Sequence, residues 1–223
     1  MWGKKLQINI TRAQMTRRKA RARKFLRALK KLVPNARMVL HYSNNLELLV
    51  AVMLSAQCTD KQVNKVTEKL FKKYKTLDDY VRARPKEFEK DIYSTGFYRN
   101  KTRHILGAAK MLKKEFGGEV PRTMAEMVLL PGVSRKTANV VLGNAYGVVE
   151  GIAVDTHVRR LALRMGLTTE RDPKKIERDL MQLLPKKEWF RFTYLMIEYG
   201  RQYCPARLPA GKAGAKVCPL DKI

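Results

Sequence analysis

A lysine and an aspartate lie about twenty residues apart, each beside the start of a predicted helix: Lys136 and Asp155. Lys136 follows the turn dipeptide Pro131-Gly132, after which apolar residues recur at helical spacing. The dipole of that helix disfavours a cation in its first turn, and free backbone N–H groups at the same end can hold a phosphate. The pattern therefore indicates a lysine amine beside an anion site.

Each of these residues also has a plain structural interpretation. Aspartate is among the preferred N-cap residues, so Asp155 taken alone favours a helix cap. Taken alone, His157 is typical of a structural residue, Cys58 of a small buried one, and Lys136 is one of 47 basic residues. The hairpin lysine followed by Val154-Asp155-Thr156-His157 shifts the balance towards a functional site.

Ser134 precedes the helix that carries Lys136 and has two interpretations. If its backbone needs a positive φ, serine costs about 1 kcal/mol or more. If it caps the helix, serine is among the best residues for that position. We favour the N-cap.

The charge balance indicates a polyanionic partner. The chain has 47 Lys+Arg against 20 Asp+Glu, a net charge of +27, and nucleic acid is the leading candidate. An anionic membrane is the alternative, but no apolar run reaches the roughly 18 residues of a spanning helix. The basic N-terminus also fits an organellar transit peptide, which we rank below a DNA-binding arm because the basic excess continues along the whole chain.

The cysteines and the N-terminus indicate a cytoplasmic protein. Three cysteines, Cys58, Cys204 and Cys218, do not make a disulfide framework. The N-terminus has no apolar segment of the kind that a signal peptide carries. We therefore expect a cytoplasmic protein.

The elements that must position these residues are predicted to be helices, and the fold class is all-α. No alternating strand pattern of useful length occurs, and residues 46–54 are apolar on nearly all sides, which predicts a buried helix. Asp60 is a predicted cap of the next helix. Residues 1–24 form a basic arm that we expect to be solvated, with a helix beginning near Phe25, and residues 204–223 show no period. Further helices are predicted near 77–83, 85–92, 100–114, 173–184 and 189–199.

Four stretches together resemble the endonuclease III family of DNA glycosylases in the helix–hairpin–helix superfamily. The likeness runs from about Phe25 to Cys204, and its hairpin and Val-Asp-Thr-His signatures together are highly specific. The stretches are Leu54-Ser55-Ala56-Gln57-Cys58-Thr59-Asp60, Thr95-Gly96-Phe97-Tyr98-Arg99-Asn100-Lys101, Leu130-Pro131-Gly132-Val133-Ser134-Arg135-Lys136-Thr137-Ala138-Asn139-Val140-Val141 and Val154-Asp155-Thr156-His157-Val158-Arg159-Arg160.

The resemblance implies a two-domain fold in which a six-helix barrel domain is inserted into a second helical domain built from both termini. It also implies a monomer that binds DNA across the cleft. The expected segments are the basic arm 1–24, the terminal domain 25–37 plus 149–223, and the barrel domain 38–148 with its hairpin at 130–135.

The resemblance further implies a bifunctional DNA glycosylase and abasic-site (AP) lyase of base excision repair, associated with the nucleoid. Lys136 would attack C1′ of an oxidised pyrimidine nucleotide flipped out of duplex DNA, and β-elimination would then cut the strand 3′ to the lesion. An amine must be neutral to attack. Asp155 would support the attack and the positive charge on the sugar, because developing glycosyl cations call for a carboxylate.

The family pattern also assigns DNA-binding residues. Gln57 matches a residue that fills the space left by the flipped nucleotide, and Phe97 lies where the family places an apolar wedge. Backbone contacts of the hairpin hold phosphates without reading sequence. The expected DNA-binding set is Gln57, Asp60, Phe97, Gly132, Ser134, Arg135 and His157.

The family usually ends in four cysteines, spaced C-x6-C-x2-C-x5-C, that bind a 4Fe-4S cluster. Here Cys204 matches the first ligand and Cys218 the third, whereas Ala215 stands at the second and the fourth would fall just past Ile223. The run 208–215 looks like an insertion. Because such clusters need four ligands as a rule, we expect a degenerate cluster region at 204–223 and no normal metal site or cofactor. A truncated chain is the competing interpretation.

Two alternative functions stay open. One is a monofunctional glycosylase acting on mismatched adenine or thymine, against which Lys136 argues because such relatives generally lack that lysine. The other is a non-catalytic helix–hairpin–helix DNA-binding protein, which would keep the hairpin but would not need Lys136 together with Asp155.

Overall fold

The computed structural model describes residues 11–206 and 218–222, and their regular structure is helical throughout. The predicted all-α class is confirmed. No helix in this part of the chain is long and apolar enough to cross a membrane. The α-helices are α1 (Arg12–Leu32), α2 (Asn45–Leu54), α3 (Asp60–Lys73), α4 (Leu77–Arg82), α5 (Pro85–Ile92), α6 (Tyr98–Glu115), α7 (Met124–Met127), α8 (Arg135–Tyr146), α9 (Thr156–Arg164), α10 (Pro173–Leu183) and α11 (Lys186–Gln202), with short 3-10 helices at Tyr93–Thr95 and Pro219–Lys222.

The chain divides into two compact units. The central unit is Arg37–Ala153 and carries α2 to α8. The terminal unit comprises residues up to Ala36 together with those from Val154, and carries α1 and α9 to α11. The sequence predicts 38–148 for the central domain. The unit extends beyond residue 148 because Val148 packs against the central core and Ala153 is buried in it.

The first helix begins earlier than the sequence predicts. The expected start near Phe25 is wrong, because residues 12–24 belong to α1, although most of their side chains are exposed as expected of a solvated arm. Thr11 and Gln14 form a capping box that starts the helix, and Ala22 is completely buried. Arg18 donates hydrogen bonds to the carbonyl of Leu167 and to Asp179 within the terminal unit. The first ten residues of the arm lie outside the described residues.

The centre of the central unit is α2, which is buried on all sides as predicted. Seven of its ten residues, from Leu48 to Leu54, are buried. It packs against α8, the helix of Lys136, and against α3 and α6. Burying aliphatic side chains contributes about 1.5–3 kcal/mol each, so this packing fixes the positions at which α3, α6 and α8 begin.

Two predicted helix boundaries change. Asp60 is the first residue of α3, and the cap is Thr59, whose hydroxyl accepts from the backbone N–H of Gln62. The prediction that Asp60 caps this helix is wrong because the preceding threonine already fills that position. Residues 123–129, before the hairpin, are apolar and compatible with a helix in sequence, but they form only the single turn α7, and Leu129 after it is 59% exposed.

The terminal unit has its own core on α11. Phe192, Leu195 and Tyr199 are fully buried on this helix, which packs against α1 and α9. Lys30 of α1 forms an ion pair with Glu188 at 2.7 Å. This packing fixes α9, at whose start Asp155 lies.

Candidate active site and DNA-binding loops

The hairpin before α8 is a tight turn held against α6. The backbone N–H of Val133 donates to the carbonyl of Leu130 at 3.0 Å, and Gly132 has φ +78°. A Cβ at Gly132 would lie 2.6 Å from Cβ and Cγ of His104 on α6. Only glycine therefore suits the turn, because both its backbone angle and the approach of His104 exclude a side chain.

Ser134 is the N-cap of α8, as predicted. Its φ is −83°, and its hydroxyl accepts from the backbone N–H of Thr137. A helix start of this kind presents further N–H groups to an anion. Lys136 is the second residue of α8 and is half-buried, as is Arg135 before it. The hairpin thus brings Gly132, Ser134, Arg135 and Lys136 together in one turn.

Asp155 is the N-cap of α9, so the interpretation of this residue as a helix cap is correct. Its Oδ1 accepts from the backbone N–H of Val158 at 2.8 Å. Within the described residues Oδ2 accepts no hydrogen bond, and the side chain is partly exposed. The start of α9 also favours a negative charge. The cap holds the carboxylate in a fixed orientation and leaves one oxygen for another partner.

His157 lies in the first turn of α9, two residues after Asp155, and packs against α11. An ideal Cβ at Gly200 would lie 2.5 Å from Nδ1 of His157 and 3.3 Å from the Arg160 guanidinium. Arg160 in turn donates to the carbonyl of Cys204 at 2.6 Å, and burial lowers the pKa of Arg160. The missing side chain at Gly200 therefore makes the space in which the imidazole is held.

Gln57 and Phe97 share an uncommon backbone conformation. Within the described residues they are the only non-glycine residues with positive φ, at +53° and +48°. Each such residue costs about 1–2 kcal/mol, and strained residues concentrate at functional sites. Both side chains are exposed, Phe97 to 60%. The sequence singles out both positions but carries no signal for this conformation.

Lys101 is a buried residue of this region whose role is not evident from the sequence. Only 6% of it is exposed, and its Nζ donates to the carbonyls of Leu54 and Thr95, each at 2.8 Å. Burial lowers the pKa of Lys101. The sequence does contain one indication that Lys101 is buried, because it lies four residues before Ile105, a core residue on the same face of α6.

The remaining candidates are placed as follows. Asp60 lies in the first turn of α3, directly after the loop that carries Gln57, and is half-buried. In the central unit, α6 links the features, since it begins after Phe97, contains Lys101 and supports the hairpin through His104. Asp155 and His157 belong to the terminal unit.

The C-terminal cysteines do not fit a four-thiolate cluster. Cys204 and Cys218 are joined by a disulfide bond, one bridge where the sequence predicts no framework, and Cys58 lies in the central unit. Within the described residues no three His, Cys, Asp or Glu side chains are grouped to hold a metal. Other contacts occupy the segment, because Asp221 accepts two hydrogen bonds from Arg164 and the backbone N–H of Leu220 donates to Tyr199. Ala215 lies outside the described residues.

The fold and these sites match a known class of proteins. The family model of the HhH-GPD superfamily base excision DNA repair protein matches residues 50–186. This range contains α8 with its hairpin, and also Gln57, Phe97 and Asp155.

Individual relatives narrow the class. The chain is 49% identical over 208 residues to endonuclease III of Synechocystis sp., covering 92% of this chain and 95% of that protein. It matches a solved non-covalent endonuclease III–DNA complex with a TM-score of 0.84 and 44% identity, covering 92% and 96% of the two chains. A trapped covalent endonuclease III–DNA intermediate matches with the same score and identity, covering 92% and 97%. The chain belongs to the endonuclease III family of HhH-GPD base excision DNA repair proteins.

Proposed function

We propose that this protein is a DNA N-glycosylase with AP lyase activity that removes oxidised pyrimidines from duplex DNA in base excision repair. The observation that carries the proposal is the start of α8, where the hairpin and the Ser134 cap place Lys136 in the first turn of a helix. Membership of the endonuclease III family supports the glycosylase and lyase activities.

Lys136 is the proposed nucleophile. Its neutral amine attacks C1′ of the flipped nucleotide, and the bond between C1′ and the base breaks, so that the base leaves with the electron pair and takes up a proton. Opening of the sugar ring gives a Schiff base between C1′ and Nζ. Loss of a C2′ proton then breaks the bond between C3′ and its oxygen, which cuts the strand 3′ to the lesion. Hydrolysis of the Schiff base restores the lysine.

Asp155 is proposed to stabilise the positive charge that develops on the sugar as the base leaves. A carboxylate is the group that glycosyl chemistry uses for this purpose. Its free Oδ2 and the N-cap bond through Oδ1 support this assignment, because the cap fixes the carboxylate without using both oxygens. His157 and Asp60 are proposed as DNA-contacting residues at the starts of α9 and α3.

Duplex DNA is the proposed partner, bound mainly through its phosphates. The net charge of +27 favours this, and Gly132, Ser134 and Arg135 are proposed to hold phosphate at the hairpin. Gln57 is proposed to fill the space left by the flipped nucleotide, and Phe97 to enter the base stack as a wedge. Their exposure and strained backbone angles support these roles.

We further propose that the chain works as a monomer on nucleoid DNA in the cytoplasm without a 4Fe-4S cluster. The Cys204–Cys218 bond and the alanine at position 215 support the last point. Iron analysis and a visible absorption spectrum of the purified protein test it. We expect neither stoichiometric iron nor a cluster absorption band, and finding both would overturn this part of the proposal.

The experiment for the activity compares duplexes that carry an oxidised thymine, a mismatched adenine, a mismatched thymine or an abasic site. We expect base release and strand cleavage at the oxidised thymine and cleavage at the abasic site. Release of only a mismatched base without cleavage would favour the monofunctional alternative. Binding without either reaction would favour a non-catalytic DNA-binding protein.

Lys136→Gln identifies the residue responsible. The exposed Lys110 on α6 offers a matched control, Lys110→Gln, which removes the same charge at a lysine to which the mechanism gives no role. Borohydride should trap a covalent complex on abasic duplex with wild type and with the control. If Lys136→Gln traps as well as wild type does, the assignment is wrong.

A further inference from the structure

The two strained loops of the central unit are joined by one buried side chain. The Gln57 loop (residues 55–59) follows the end of α2, and the Phe97 loop (residues 93–97) precedes α6. Nζ of Lys101 donates to the carbonyl of Leu54, immediately before the first loop, and to that of Thr95, inside the second. These carbonyls lie three and two residues before Gln57 and Phe97 respectively.

The environment of Lys101 makes these bonds difficult to replace. Leu54 and Thr95 are almost completely buried, at 0% and 2% exposed. A helix leaves its last carbonyls without partners inside the helix, and a cation at that end is favoured by the helix dipole. Lys101 therefore satisfies the end of α2 and the loop before its own helix at once, in a site from which water is excluded.

A lysine at a core position of α6 needs a reason, because burying its charged group is costly unless it is bonded. An aliphatic residue would pack in line with Ile105 without this cost. The two backbone bonds are what an aliphatic residue cannot supply. A second link, from Gln62 of α3 to Ser94 at 2.7 Å, joins the helix that follows the Gln57 loop to the Phe97 loop itself.

We propose that Lys101 is a positioning residue for DNA binding, which holds the Gln57 loop and the Phe97 loop at the fixed spacing that a duplex with a flipped nucleotide requires. The proposal rests on the roles proposed above for Gln57 and Phe97. Lys101 itself touches neither the substrate nor the reacting atoms. It acts by keeping both exposed side chains ready for insertion before DNA binds, which lowers the cost of ordering them.

The test uses the full chain and the variant Lys101→Met, which keeps the length of the side chain and removes both hydrogen bonds. Lys110→Met on the same helix is the matched control for loss of a lysine charge. The measurement is the single-turnover rate of borohydride trapping on an abasic site, once in duplex DNA and once in a single-stranded oligonucleotide. A single strand has no duplex base stack into which the loops could insert, so the ratio of the two rates measures how much the two loops contribute to the reaction on duplex DNA.

We expect the duplex to single-strand ratio to fall on the order of 100-fold in Lys101→Met, as for a displacement of about 1 Å in a binding group. In Lys110→Met the ratio should equal that of wild type. An unchanged ratio in Lys101→Met, or an equal loss on both substrates, would overturn the proposal. A wild type that traps neither substrate would instead refute the proposed function.

A double-mutant cycle with Phe97→Ala tests the route of the effect. If Lys101 acts through the loops, Lys101→Met should lower the ratio less in the Phe97→Ala background than in wild type. Fully additive losses would contradict the proposal. If Lys101→Met shows no cooperative thermal transition, Lys101→Gln, which keeps a hydrogen-bond donor, replaces it and is judged by the same ratio and the same cycle.

Discussion

Replacing the hairpin glycine tests how the turn is packed against α6. An alanine at position 132 would have to adopt φ +78°, at about 1–2 kcal/mol. Its Cβ would lie 2.6 Å from Cβ and Cγ of His104, where carbon atoms normally approach to about 3.5–4.0 Å. The His104 Cβ is fixed to the helix backbone and cannot rotate away, and such crowding costs about 1–3 kcal/mol. We expect Gly132→Ala to lower the free energy of unfolding by about 2–5 kcal/mol.

Gly117 offers the matched control in the same unit. Its φ is +61°, and a Cβ there would meet nothing within 4 Å. Gly117→Ala therefore carries only the conformational cost of about 1–2 kcal/mol. Urea unfolding followed by circular dichroism measures both variants. Equal destabilisation by the two alanines would refute the claim that the turn is closed against His104.

The same pair of variants separates stability from DNA binding. The crowding at position 132 displaces the hairpin, whereas position 117 lies after the far end of α6. Fluorescence anisotropy with an abasic duplex should show weaker binding by Gly132→Ala and unchanged binding by Gly117→Ala. Wild-type affinity in Gly132→Ala would remove the hairpin from the binding surface.

Three further predictions follow from the caps and contacts. Ser134→Ala should lower the free energy of unfolding by about 0.5–2 kcal/mol through loss of the α8 cap, and urea unfolding would contradict this if the midpoint stayed in place. Gly200→Ala should displace His157 and lower the free energy of unfolding by about 1–3 kcal/mol. It should also slow the cleavage of abasic duplex, and unchanged cleavage would exclude a role for the position of the imidazole. The hydrogen bond from Arg164 lowers the pKa of Asp221. The pair therefore stabilises the fold at pH values above the usual aspartate pKa, and this stabilisation is lost as the pH falls through the lowered pKa. Asp221→Asn should therefore melt at a lower temperature than wild type at neutral pH, with a gap that narrows in acid, and a gap independent of pH would contradict it.

The sequence predicts the helical class and most helices because periodic apolar residues report burial directly. The predominantly apolar α2 and the serine cap of α8 could be predicted, since a few neighbouring residues determine each of them. The early start of α1 has a local signal in the capping box of Thr11 and Gln14, but the contacts that hold this part of the helix in the fold are not local. Its partners Leu167 and Asp179 lie about 150 residues along the chain, and composition alone indicates a solvated basic arm.

The candidate site shows the same division. Motif spacing identifies Lys136 and Asp155, and a local rule identifies Asp155 as a cap. Gln57 and Phe97 have positive φ, and the loops that carry them are joined by bonds from Lys101 to carbonyls that are 47 and 6 residues away, respectively. The close approaches of Gly132 to His104 and of Gly200 to His157 are likewise tertiary contacts. No window of sequence contains them.

Peptide mapping of the borohydride-trapped complex by mass spectrometry tests the central claim most directly. Wild-type protein is trapped on an abasic duplex, the DNA is digested to a residual sugar, and the modified lysine is located. The mechanism predicts that the sugar is found on Lys136. A sugar on another lysine or on the N-terminal amine, or no covalent complex, would contradict it.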